Sequence, residues 1–193
     1  MSDARIRIQT PLTDAAVRAL RVGDRVLLSG IAYTARDAAH RRLVRALQAG
    51  QPLPIPLDGQ VIYYLGPSPA RPGEVIGSAG PTTSTRMDSF TLPLLEHGLK
   101  GMIGKGKRSP EVRQGMVDYT AIYFAAVGGA AALIAASIRQ AELIAYEDLG
   151  TEAIYRLLVE DFPLVVANDC HGGDLYEAGR AAYGKKVTAD END

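Results

Sequence analysis

A chain of 193 residues, 47% hydrophobic and 22% charged with a net charge of −1, is large enough to bury a proper core as one domain. The near-neutral balance excludes the basic excess on which nucleic-acid and membrane-surface binding depend. Three His and a single Cys exclude a zinc or iron–sulfur centre held by this chain alone. That single Cys also excludes an internal disulfide, which with an N-terminus lacking an apolar signal core (MSDARIRIQT) predicts a cytoplasmic protein.

Residues 5–9 alternate apolar and polar side chains, the pattern of a first strand. Pro11-Leu12-Thr13-Asp14 reads as a helix entrance, with Ala15, Val17, Ala19 and Leu20 forming a short helix. Arg25 to Tyr33 (RVLLSGIAY) is a strand, and the helix after it runs to residue 50 with Ala39, Leu43, Val44 and Leu47 as its apolar face. Thr34 or Asp37 is the expected cap of that helix. Arg36 therefore falls at a strand–helix junction, where α/β sheets place ligand-binding groups. By position alone it reads rather as a solvated charge, and His40 as a helix-surface or capping residue. QPLPIPLD (51–58) is an extended segment, QVIYYL (60–65) a buried strand, and GPSPARPG (66–73) a loop.

The stretch from Gly77 to Arg108 is the richest in chemistry. A small-residue turn leads into four hydroxyl side chains, Thr82 to Thr85, and then Arg86. With Thr82 near a helix entrance, a hydroxyl, free N–H groups and the Arg86 guanidinium would converge to hold a carboxylate or phosphate. The same pattern is that of an ordinary N-cap followed by a surface arginine. Met87, Phe90, Leu94 and Leu95 form a core-facing helical stripe that includes Pro93, and Leu99 to Ile103 is a short strand. Lys105, between two glycines, is as much a solvated loop charge as a ligand contact, and Lys107 and Arg108 raise the local positive potential. Ser109 and Pro110 open the next helix.

Residues 121–138 carry no charge and have the length of a membrane span, yet Gly128-Gly129 interrupts them and Ala dominates. They read as a buried strand, a Gly-Gly turn and a buried helix. No phosphate-binding glycine pattern surrounds the pair, so a packing role is expected. Residues 152–159 read as a strand or a helix, with a strand favoured by the strand 162–167 that follows and Glu160-Asp161 as the turn of a hairpin between them. The turn 168–174 holds Cys170 and His171, which are too close in sequence to form a catalytic dyad or a metal site. Cys170 is expected to be structural or a bystander thiol. Asp174 to Tyr183 is a predicted helix, and residues 185–193 a disordered polar tail.

Three motifs fall in order: ARDAAH (35–40), GPTTSTRMD (80–88) and GKGKR (104–108). Together they resemble the β subunit, or C-terminal half, of class I iron–sulfur fumarate hydratases and L(+)-tartrate dehydratases, over roughly Val22 to Tyr183. The resemblance implies one domain (1–184) with an α/β fold, a swivelling β/β/α domain whose mixed sheet is layered with helices. It implies a hydro-lyase that dehydrates a 2-hydroxy dicarboxylate, malate to fumarate or tartrate to oxaloacetate. Arg36, Arg86 and Lys105 would fix the substrate carboxylates, Thr82 would move the proton, and Thr83 would hydrogen-bond beside it; residues around GPSP would lie near the pocket. His40 would be structural or supporting. The [4Fe–4S] cluster, whose iron binds the hydroxyl, would be held by a partner α subunit in an α2β2 assembly, leaving this chain inactive alone. The family's Gly-Asn-Asp-like turn is not matched at 168–174. Two other readings remain: a non-catalytic dicarboxylate- or phosphate-binding domain, and a nucleic-acid module using Lys105 to Arg108, which the charge balance disfavours.

Overall fold

Successive side chains of a strand point to opposite faces, and here both faces are apolar. Along and just after β3 (Val61–Tyr63), Val61, Tyr63 and Leu65 enter one buried cluster, while Ile62 and Tyr64 enter another. β5 (Ile122–Ala126) divides in the same way, Ile122, Phe124 and Ala126 against Tyr123. Strands buried on both faces belong in a parallel sheet covered by helices. Accordingly β2 (Arg25–Thr34), β3, β4 (Gly101–Gly104) and β5 run parallel, connected through α2 (Asp37–Gln48), α3 (Asp88–Glu96) and α4 (Pro110–Asp118). These features come from a computed structural model, which describes residues 5–68, 70, 72–77, 79–126 and 131–183.

The remaining strands complete a mixed α/β architecture. β1 (Ile6–Gln9) lies parallel to β2 at one edge, and β6 (Ile138–Ala145) lies antiparallel to β7 (Ile154–Asn168) at the other. The order is β1-β2-β3-β4-β5-β7-β6, and β7 also pairs with β2, so β2, β3, β4, β5 and β7 close a ring. The first cluster draws on all the ring strands: Leu28, Tyr63, Ile103, Phe124 and Phe162 are fully buried in it. The second packs α2, α3 and α4 (Leu43, Leu94, Met116) onto Ile62, Tyr64, Met102 and Tyr123.

Local signals set the helix starts. Thr13 Oγ1 accepts from Ala16 N at 3.2 Å before α1 (Asp14–Ala19), and Ser109 Oγ from Val112 N at 3.3 Å before α4. α3 continues through Pro93. α5 (Ala131–Ser137) and α6 (Leu175–Tyr183) complete the set. No helix among the described residues is long and apolar enough to cross a membrane.

Two expectations are corrected. α2 is capped neither by Thr34 nor by Asp37: Arg36 is its N-cap, and the Thr34 hydroxyl instead accepts from Tyr155 N at 2.9 Å on β7. Glu160-Asp161 does not turn a hairpin, because β2 keeps pairing with β7 on both sides of the pair. The two residues form an irregularity where Asp161 takes φ 49°, its N–H donating to Ser29 Oγ at 3.0 Å and its carboxylate meeting Arg7 at 3.0 Å. The uncharged run does hold the expected strand and helix, β5 and α5, the latter stopping at Ser137 as the chain enters β6 at Ile138. The Gly128-Gly129 turn and the 185–193 tail lie outside the described residues.

Candidate functional site

The parallel strands deliver the predicted residues to one edge. Thr34, Tyr63 and Ile103 stand in register across β2, β3 and β4. One step further, Ala35 N donates to Tyr63 O at 3.1 Å and Tyr64 N to Ile103 O at 2.9 Å. Arg36, Gly66 and Lys105 thus leave the C-terminal ends of neighbouring parallel strands, the end at which both closed and open α/β sheets bind ligands.

The hydroxyl-rich segment is stitched into this edge by its main chain. Thr82 N donates to Tyr64 O at 2.7 Å, Lys105 N to Thr82 O at 3.2 Å and Ser84 N to Lys105 O at 2.8 Å, making a short parallel bridge between Thr83 and Lys105. Thr82 is half-buried, while Thr83, Arg86 and Lys105 are exposed. Beneath them, Ser84 Oγ lies 2.7 Å from Tyr123 Oη, which itself donates to Gly106 O at 2.9 Å, and Tyr63 Oη donates to Ala79 O. The helix entrance is not at Thr82, and its amide is not among the free N–H groups expected there. Thr83 rather than Thr82 caps the 3₁₀ helix Ser84–Met87, makes no side-chain capping bond, and the amides of Thr82 and Ser84 are consumed by backbone carbonyls.

The three cations are held differently. Arg36 Nη2 lies 3.4 Å from Glu152 Oε1, and Glu152 Oε2 accepts from Ala38 N at 2.8 Å, so one carboxylate both caps α2 and neutralises Arg36. Arg86 reaches back to the first residue of α2: its Nε donates to Asp37 Oδ1 at 3.0 Å, and its Nη2 lies 2.7 Å from Oδ2. The Lys105 ammonium has no partner among the described residues. Two carboxylates thus offset two guanidiniums, and Lys105 leaves the group with net positive charge. Asp37 and Glu152 were not foreseen, since their partners are distant in sequence.

The GPSP loop does meet this edge. A Cβ on Gly66 would lie 2.5 Å from Arg36 Nη1 and 2.8 Å from Thr151 O, so the guanidinium rests in space that only glycine leaves. Beyond it opens a cleft of about 420 Å³, lined by Pro67, Ile76, Leu143, Thr151 and Tyr155 among others.

Arg108 is a correction: it is no surface charge. Only 4% exposed, it donates to Asp88 Oδ1 at 2.7 Å, Tyr64 Oη at 3.0 Å and Thr91 Oγ1 at 2.7 Å, between the rings of Tyr64 and Tyr123. Lys107 is exposed. His40 is wholly buried under this edge rather than on the helix surface. Its Nδ1 donates to Arg36 O at 2.9 Å and its ring meets Tyr64 edge-on. Burial, with Arg108 nearby, lowers its pKa to about 4.

The 168–174 turn is structural. Asp169 accepts from the amides of Val22, His171 and Gly173, all at 2.9 Å. Burial works against its charge, but these donors hold its pKa below the ordinary carboxylate value. Cys170 is buried in the first cluster, and burial raises its thiol pKa. Among the described residues no three His, Cys, Asp or Glu side chains gather to hold a metal ion.

The edge therefore offers cations, and the hydroxyls of Thr82 and Thr83 without a partner among the described residues, suited to an anionic ligand. A model of the family described as Fumarase C-terminus matches residues 1–179. The chain is 38% identical over 172 residues to the putative L(+)-tartrate dehydratase subunit beta of Methanocaldococcus jannaschii, covering 86% of this chain and 88% of that protein. It is 39% identical over 157 residues to fumarate hydratase 2 of Leishmania major, 80% of this chain and 28% of that one. The anaerobic class I fumarate hydratase of Escherichia coli K12 is 39% identical over 158 residues, 81% and 29% of the two chains. The chain thus spans less than a third of those fumarate hydratases and most of the tartrate dehydratase subunit.

Proposed function

The chain belongs to the fumarase C-terminus family, and from that premise we propose that it is the β subunit of an iron–sulfur-dependent hydro-lyase, converting malate reversibly to fumarate. The observation that carries this reading is the meeting of Arg36, Thr82, Arg86 and Lys105 at one sheet edge. Arg36 and Arg86 are the bidentate grips for carboxylates, and Lys105 is a point charge. Thr82 is the proton-transfer group and Thr83 its hydrogen-bonding neighbour. A threonine hydroxyl needs positive charge beside it to act as a base, and Lys105, without a partner among the described residues and bonded to Thr82 through the backbone, supports that role.

This chain's residues do not fit a [4Fe–4S] cluster: its one Cys is buried, its thiol hydrogen turned to Val17 O. The cluster is therefore assigned to an α subunit, in a cytoplasmic α2β2 enzyme that is inactive without it. A second reading, an L(+)-tartrate dehydratase β subunit, is favoured by the subunit-length match to the Methanocaldococcus protein.

The test is Arg86→Ala in enzyme reconstituted with a cluster-loaded α subunit, assayed on malate and on L(+)-tartrate. Loss of a desolvated carboxylate partner should lower kcat/KM about 100-fold or more on the true substrate. A fall of less than about 3-fold on both substrates, or full activity of the α subunit alone, overturns the proposal.

A further inference from the structure

Arg86 extends from the 3₁₀ helix Ser84–Met87 with its side chain 47% exposed, a poor situation for a long, flexible group meant to meet a ligand in one geometry. What restrains it is Asp37, which takes the guanidinium by its Nε and Nη2 side, at 3.0 and 2.7 Å. The opposite side, Nη1 and the outer N–H of Nη2, has no other partner among the described residues. A guanidinium held along one edge keeps the other as a two-pronged donor matched to a carboxylate. Asp37 is itself fixed as the first residue of α2, directly after Arg36. Its Oδ2 is shielded from water and lacks a well-aligned hydrogen bond, so the ion pair with Arg86 is what compensates it.

We propose that Asp37 is a positioning residue that aims the free edge of Arg86 at a substrate carboxylate, an inference that rests on Arg86 gripping substrate. The competing role is purely local: an acid in the first turn of α2 stabilises the helix whatever Arg86 does. Asp37→Glu separates the two, because it keeps the negative charge at the helix start but displaces the carboxylate by a methylene.

The experiment uses the assembled enzyme with malate and L(+)-tartrate as probes, and compares Asp37→Ala, Asp37→Glu, Arg86→Ala and the Asp37→Ala/Arg86→Ala pair. Asp37→Ala should lower kcat/KM about 10- to 100-fold, mainly through KM, and Asp37→Glu should not restore it. In the Arg86→Ala background the Asp37→Ala loss should vanish, since Asp37 acts only through Arg86. A wild-type Asp37→Glu enzyme, a fall in kcat at constant KM, or an undiminished Asp37→Ala loss without Arg86 overturns the inference. An Arg86→Ala enzyme of unchanged kcat/KM removes the premise instead, and with it the carboxylate-gripping role proposed above.

Discussion

Replacing Arg108 by Met should be among the most damaging single changes in the chain. The Arg108 side chain is 0% exposed and that of Asp88 13% exposed, so their 2.7 Å ion pair is little screened by water. Met occupies much of the vacated volume, which keeps the cavity contribution small. Asp88 would keep its bond from Ser109 N at 2.8 Å but lose its cation, and Tyr64 Oη and Thr91 Oγ1 would lose a charged donor. Breaking a buried pair from one side costs about 3–5 kcal/mol. With a urea m-value near about 2 kcal/mol/M, the unfolding midpoint should fall by roughly 1.5–2.5 M. Circular dichroism in urea on the purified chain measures it. Adding Asp88→Asn to Arg108→Met should recover part of the loss, because the orphaned charge is what costs most. A loss below about 1 kcal/mol, or an Asp88→Asn cost that simply adds, would refute the reasoning.

His40 predicts a pH dependence of stability. Its folded pKa, about 4, lies below the ordinary 6.5, so on acidification the unfolded chain takes up the proton first. The contribution is complete above the ordinary value and is lost as pH falls from 6.5 to about 4, amounting to about 3 kcal/mol over the whole shift. His40→Gln should flatten the urea midpoint between those limits, measured as a difference from wild type; identical slopes would count against it. Gly66→Ala should push Arg36 or residue 151 aside, costing about 1–3 kcal/mol by thermal unfolding and raising KM in the assembled enzyme. An unchanged Tm and KM would contradict the packing described for Arg36.

The parallel half of the fold was legible because its signals are local. The β-rich run at Arg25, the strand at 60–65, and Ser109 followed by Pro110 need no distant partner to be read. The antiparallel half was not. β6, IRQAELIA, is composed of residues that favour helix, and only pairing to β7 makes it a strand. β7 hides a continuous run behind two acidic residues that look like a turn, and β2 alone carries it across them. Residues of the three motifs do come together at one edge of the sheet, but the sequence could not tell which cations were already spoken for. Arg108 looked like one more loop charge beside Lys107, although its partners Tyr64 and Asp88 come from other elements. Asp37 and Glu152 likewise acquire their roles only when α2 meets residues brought from far along the chain.

The main-chain bridge joining Thr83 to Lys105 has an evolutionary reading. Because peptide groups, not side chains, tie these two segments, each position works as a socket whose occupant can be exchanged without moving its neighbour. Side chains projecting from that seam can be exchanged by descent while the seam itself stays put.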